Sequence, residues 1–217
     1  MTAAGTKAII YDCDGVMFDS FEANFSFYAR VLVEFGKPLP DRGNAEAMTI
    51  LHTWSHRDVL AYLFVDDPRK DDAIRFAGTI NYADLVPMMV MEDGFLETVR
   101  MLEKGYALGI CTNRSTSMDL VLDTFGLRPY FRTVMTSARV ANPKPHPEPL
   151  LKTLDDLEVQ PHEALFIGDS EVDRRAAEAA GVPFIAYRND LPCIARLERH
   201  ADLPSLITFL ESPSGRK

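Results

Sequence analysis

The stretch Lys7-Ala-Ile-Ile-Tyr-Asp12-Cys-Asp14-Gly15 decides the fold. Its first five residues form a short apolar run, without the regular alternation of a strand that faces water on one side. A run of this kind reads as a strand buried on both faces, the usual state of a strand inside a parallel sheet. It stops at a carboxylate, and Gly15 then marks a tight turn.

Three later segments share that shape. Tyr106–Cys111 runs into Thr112-Asn113, Ala164–Ile167 into Gly168-Asp169-Ser170, and Val182–Tyr187 into Arg188-Asn189-Asp190. Thr133-Val-Met-Thr136 is a weaker candidate strand. Helical spacing fills the intervals. Asp93 is placed to cap a helix through Phe95, Leu96, Val99 and Leu102 that stops at Gly105. Ser115 is placed to cap another, with Met118, Val121, Leu122 and Phe125 on one face and Gly126 as its end. Residues 149–157 and 171–180 fit two more, the latter ended by Gly181. Strand and helix in alternation predict an α/β fold, with a doubly wound, Rossmann-like parallel sheet as its core.

Residues 19–89 break the rhythm. Phe21, Phe25, Tyr28, Leu32 and Phe35 recur at helical spacing up to Gly36, and Pro38 and Pro40 mark a turn. Residues 45–52, 58–64 and 71–85 follow as further helices, and no strand is evident. The expectation is an all-helical insertion, 19–89, in a core made of 1–18 and 90–217. A short polar tail follows Leu210.

The 217 residues carry 23 Lys and Arg against 32 Asp and Glu, for a net charge of −9. Such an acidic chain is unsuited to nucleic-acid phosphates or an anionic membrane surface as its main partner. Cys13, Cys111 and Cys193 show no CxxC spacing, which argues against a disulfide framework and a zinc site. Neither a signal-peptide pattern nor a membrane span is evident. The expectation is a soluble, cytoplasmic protein.

In an open α/β sheet, ligands bind beyond the carboxyl ends of the strands. The polar residues there are Asp12 and Asp14, Thr112 and Asn113, Asp169 and Asp173, with Lys144 in Pro143-Lys-Pro-His-Pro147. Asp12 and Asp14 are two apart, so strand alternation aims them the same way. Carboxylates this close repel unless one is protonated or a cation lies between them. Asp169 adds a third acid, and an oxygen-only set suits Mg²⁺ better than zinc. Thr112 offers a hydroxyl and Lys144 a fixed charge, a pairing suited to phosphoryl oxygens. Backbone N–H groups opening the helix near Ser115 add donors. Any one of these residues alone would read as a helix cap, a turn former or a surface charge. Four such groups in order at strand ends read as a site.

As an ordered set, these segments resemble the four motifs of the haloacid dehalogenase superfamily of phosphohydrolases. Asp12-Cys-Asp-Gly-Val16 resembles the first, Ile110-Cys-Thr-Asn113 the second, Lys144-Pro-His-Pro147 the third, and Gly168-Asp-Ser-Glu-Val-Asp173 the fourth. The helical insertion resembles the family's helical cap of the first type, and Asp19-Ser20 follows its pattern. The subfamily it most resembles is that of phosphoglycolate phosphatase and β-phosphoglucomutase.

The resemblance implies Asp12 as nucleophile and Asp14 as general acid and base. It implies Mg²⁺ held by Asp12, the carbonyl of Asp14 and Asp169, and Thr112, Asn113 and Lys144 on the phosphoryl group. Asp173 would orient water or Lys144. An acid at position 14 suits an alkoxide leaving group, where dehalogenating and phosphonate-cleaving members carry none. The implied activity is hydrolysis of a small phosphorylated metabolite by a monomer or homodimer. The alternatives are a sugar phosphomutase, a phosphorylated receiver domain, or a binding protein on the same scaffold. His52-Thr-Trp-Ser-His-Arg57 clusters two imidazoles, a Trp and an Arg in the entrance region, a set suited to reading an anionic or sugar leaving group; the favoured reading is that Trp54 packs within the insertion. His56 and Arg57 are expected at a solvated helix start, with Ser55 as its cap.

Overall fold

The computed structural model describes residues 5–212; the tail expected after Leu210 lies outside them beyond Ser212. Six strands, β1 (Ala8–Tyr11), β4 (Ala107–Thr112), β5 (Thr133–Thr136), β6 (Ala164–Gly168), β7 (Phe184–Tyr187) and β8 (Ala195–Leu197), form one parallel sheet. Its order is β5-β4-β1-β6-β7-β8. From β1 the chain moves one way to β4 and β5, then returns to β6 on the other side. The carboxyl end of β1 is therefore the switch point, where the crossovers part and leave a crevice.

Alternate residues of the central strands serve two cores. Ile9, Tyr11, Leu108, Ile110, Leu165 and Ile167 pack on one face of the sheet with residues of α5 (Phe95–Leu102), α6 (Ser117–Thr124) and α9 (Leu203–Glu211). Ala8, Ile10, Cys111 and Phe166 pack on the other with α7 (Glu148–Leu157) and α8 (Glu171–Ala180). The doubly wound α/β core is as the strand runs indicate.

Between β2 (Phe18–Asp19) and β3 (Val90–Met91), which pair antiparallel, the chain is helical: α1 (Phe21–Glu34), α2 (Ala45–Thr53), α3 (His56–Leu63) and α4 (Lys70–Ala77). Several local expectations need correction. Asp93 caps nothing. Gly94, at φ 72, occupies the N-cap of α5 without a side-chain bond, and the helix ends at Leu102 rather than Gly105. Thr116, not Ser115, stands at the N-cap of α6, likewise without a side-chain bond. The helix expected over 71–85 stops at Gly78, and Tyr82–Asp84 and Val86–Met88 are separate 3₁₀ turns. Asn81 accepts the Ala83 N–H there and Pro87 cannot donate, so neither site continues an α-helix. Strand β8 and helix α9 were not foreseen. No helix among the described residues is long and apolar enough to cross a membrane.

Candidate active site

Beyond β1, Lys144 is buried between two acids. Its Nζ lies 2.9 Å from Asp12 Oδ1 and 2.5 Å from Asp173 Oδ1, and donates to the Cys111 carbonyl at 2.9 Å. Burial works against its charge, but Asp12 and Asp173 more than offset that and hold the ammonium firmly protonated. Asp173 closes a capping box at the start of α8. Its Oδ2 accepts from Ser170 N at 3.2 Å and Ser170 Oγ at 2.6 Å. A Cβ on Gly168 would sit 2.5 Å from that of Asp173, so only glycine lets the two segments come this close.

Carboxylate oxygens of Asp12, Asp169 and Asp173 lie within 4.8 Å of one another. Both oxygens of Asp173 are already bonded, which leaves Asp12 and Asp169 as the acids with capacity for a cation. Burial, then Asp173, push Asp12 up to about 7 against the pull of Lys144. Burial, Asp173 and Asp12 push Asp169 well above the carboxylate range. This is the signature of negative charge in excess of its compensation. An all-oxygen donor set of this kind fits Mg²⁺. Gly15, at φ 76, supports the same corner, because a Cβ there would fall 2.0 Å from Asp169 Oδ2.

Asp14 has different company. The buried Arg114 guanidinium pairs with it, donating from Nη2 to Oδ1 and from Nε to Oδ2 at 3.3 Å. Ser20 Oγ donates to Oδ1, as does Asn24 Nδ2 at 3.3 Å. Burial alone would raise the Asp14 pKa, but Arg114, then His52, outweigh it and hold the carboxyl at about 2. Arg114 also reaches Tyr82 Oη and, at 3.4 Å, Ser117 Oγ. Asn24 and Tyr82 belong to the helical segment, so this network joins it to the core. None of Arg114, Asn24 and Tyr82 was singled out from sequence. The available signal was a basic residue directly after Thr112-Asn113 at a strand end.

Thr112 is buried, and its Oγ1 accepts from Arg114 N at 3.1 Å, leaving its own proton to donate. Asn113 is less free than expected. Its Nδ2 donates to the carbonyls of Lys144 at 2.9 Å and Thr53 at 3.1 Å. The side chain thus fastens the Lys144 loop and the end of α2, and only its backbone N–H is left for an anion. Two further expectations are corrected. Trp54 meets Tyr62 of α3 edge-on, with ring centroids 6.4 Å apart, yet it is not enclosed by the helical segment and stays 40% exposed, because the chain leaves α2 there in extended conformation. His56 is not solvated but stacks on Phe27, with ring centroids 4.6 Å apart, and burial lowers its pKa to about 4. Ser55 caps α3 as read, accepting from Asp58 N.

Asp12, Asp14, Thr112, Asn113 and Arg114 line a cavity with His52, Trp54 and His56. Its volume is about 10 Å³, room for one water. Clefts of about 720 Å³, bordered by His56, Tyr82 and Ser117, and about 700 Å³, bordered by His52, Trp54 and Asp169, flank it.

Known proteins share this fold and sequence. Residues 9–187 match the haloacid dehalogenase-like hydrolase family. A crystal structure of a hydrolase of that superfamily, subfamily IA, from Geobacter sulfurreducens is 54% identical with a TM-score of 0.82, covering 93% of this chain and 99% of that one. The pyrophosphatase PpaX of Bacillus pumilus is 28% identical over 183 residues, 83% of this chain and 82% of that protein. The phosphoglycolate phosphatase of Escherichia coli K12 is 40% identical over 83 residues, 38% of this chain and 33% of that protein. With acids at the switch point, a buried lysine beside them and a family match across most of its length, the chain belongs to the haloacid dehalogenase-like hydrolases.

Proposed function

We propose that the protein is a Mg²⁺-dependent phosphatase that hydrolyses a small phosphorylated metabolite through an aspartyl-phosphate on Asp12. The observation that carries this is the placement of Asp12, Lys144 and Asp169 together at the carboxyl end of β1, with Asp14 one turn away. Asp12 Oδ attacks phosphorus, the bond to the leaving oxygen breaks, and water later displaces the phosphoryl group from the carboxylate. Lys144 and the Thr112 hydroxyl hold phosphoryl oxygens during both transfers, where positioning and charge supply most of the catalysis. Asp12, Asp169 and the Asp14 carbonyl would hold Mg²⁺, which when bound screens the carboxylate from the incoming phosphate. The small enclosed volume supports residues 19–89 acting as a cap over core residues 1–18 and 90–217. It moves on the links at 18–20 and 89–94 to admit substrate.

Asp14 serves the leaving group and the water. Paired with Arg114 it is ionised, the form that takes a proton from water; its acid role needs a proton that arrives with the substrate. We expect Asp14→Asn to slow hydrolysis of an alkyl phosphate by about 10²- to 10⁴-fold, with a smaller loss on 4-nitrophenyl phosphate, whose leaving group needs no proton. Equal losses on the two would remove Asp14 from protonation of the leaving group and leave it with the water alone.

The ion pair favours a second reading of the substrate, a phosphoanhydride such as inorganic pyrophosphate, whose leaving group needs little help from an acid. Phosphate release from pyrophosphate, 2-phosphoglycolate and sugar phosphates, with and without Mg²⁺, decides between them. A phosphomutase would release little phosphate and depend on a bisphosphate activator, a receiver domain would not turn over, and no turnover anywhere would leave a binding protein.

The acid cluster also sets a pH dependence. Asp12 and Asp169 titrate higher in the folded protein than in the unfolded chain, where a carboxyl ionises near about 4. Their contribution to stability is present below that value and is lost as pH rises through about 7. The metal-stripped protein should therefore lose thermal stability over this interval. Mg²⁺ should raise Tm more at about pH 8 than at about pH 5. Thermal melts across pH check this, and a magnesium shift independent of pH would contradict it.

A further inference from the structure

His200, in the segment between β8 and α9, is fully buried and takes no part in the chemistry above. Its Nε2 lies 2.8 Å from the carbonyl oxygen of Val16. A carbonyl only accepts, so Nε2 carries the proton and the ring donates. The ring is fixed on both sides. It stacks on Tyr187 with centroids 4.6 Å apart and planes at 23°, and Phe95 meets it edge-on at 5.0 Å.

Val16 belongs to the turn that carries Asp14. Within that turn the Cys13 carbonyl accepts from Met17 N at 2.9 Å and Phe18 N at 3.1 Å, and Gly15 N donates to the Phe18 carbonyl at 2.8 Å. The next carbonyl, that of Met17, accepts from Glu92 N at 3.0 Å. Glu92 is held in turn by Tyr187 Oη at 3.1 Å and Arg188 Nη1 at 2.6 Å. Two successive carbonyls of the turn are thus tied, directly or through Glu92, to the region around β7 and His200. That region makes none of the phosphate contacts. We propose that His200 is a positioning residue for Asp14, its N–H to Val16 fixing the turn so that the Asp14 carboxylate meets the leaving oxygen. The inference rests on the proposed role of Asp14.

The test compares variants that differ in the donor. His200→Leu and His200→Phe remove the N–H, the latter keeping an aromatic ring in the stack, while His200→Gln restores a donor of similar reach. Displacing a catalytic group by about an ångström costs up to about 10²-fold, so the donor-less variants should lose about 10- to 100-fold in kcat on an alkyl phosphate with little change in KM. On 4-nitrophenyl phosphate, which needs no proton, the loss should stay within about 3-fold, and Gln should return alkyl turnover to within about 3-fold of wild type. Thermal melts show which variants fold, and either donor-less one suffices. Equal losses on the two esters, or a Gln variant no better than Leu and Phe, would overturn the proposal. If Asp14→Asn itself slows both esters alike, the role of Asp14 toward the leaving oxygen falls and this inference with it. If only the His200 variants fail to discriminate, the role of Asp14 stands alone.

Discussion

Asp12→Asn should abolish phosphate release, by about 10⁴-fold or more, while the protein stays folded. An amide has no charged oxygen with which to form the phosphoryl ester. Cys13 is the adjacent thiol, but it is fully buried, and burial together with Asp14 drives its ionisation well above the ordinary range. The fold should tolerate the change. Asp12 is a carboxylate whose charge is disfavoured by burial and by Asp173, and Lys144 keeps Asp173 as its partner when Asp12 becomes neutral. Tm in the absence of metal should therefore be no lower than wild type, and the stabilisation by Mg²⁺ should shrink. Phosphate release and melting curves with and without Mg²⁺ measure both. Substantial turnover by the folded variant would remove Asp12 as nucleophile.

The second large effect is on stability as well as rate. Lys144→Met takes a buried ammonium from between Asp12 and Asp173 and leaves both carboxylates without a paired cation. Removing one partner of a buried charge cluster costs about 3–5 kcal/mol, far more than loss of an exposed pair. Part of the cost is recovered if Asp12 takes up a proton, which it does most readily at low pH. The variant should thus be destabilised more at about pH 8 than at about pH 5, the same sense as the metal-free protein. Denaturant unfolding at the two pH values measures this. A variant as stable as wild type at both would mean that the cluster is hydrated and not buried as described. Activity should fall too, since among the described residues Lys144 is the cation paired with Asp12.

What the sequence made legible follows from the range of the forces involved. The apolar runs ending at Tyr11, Cys111 and Ile167 announce buried parallel strands, because each must be apolar on both faces. Ala195-Arg-Leu197 has no such run; as an edge strand it pairs on one side alone, with β7. Helix α8 was placed at its correct ends, since Gly181 sits left-handed at φ 71 and Ser170 caps the start, both local signals. The cap of α5 was misread because Asp93 and Gly94 are both admissible there and only the backbone angle decides. Within the site, Asp12, Asp14, Lys144 and Asp169 stood out as charges after strands. Arg114, Asn24, Tyr82 and His200 did not. Asp14 and Arg114 are 100 positions apart, and Val16 and His200 are 184 apart. No local pattern encodes such pairings; they exist only once the crossovers have closed.

The central place of β1 has a consequence for synthesis. Of the strands in this sheet it leaves the ribosome first, yet its second neighbour, β6, begins at Ala164, so one edge of β1 has no partner until the chain has emerged as far as that strand. Through that interval the nascent chain holds an apolar ribbon with open N–H and C=O groups, a template for association with other chains. Asp169 arrives only with the strand that covers this edge, so the acids could first gather around a metal ion as that gap closes.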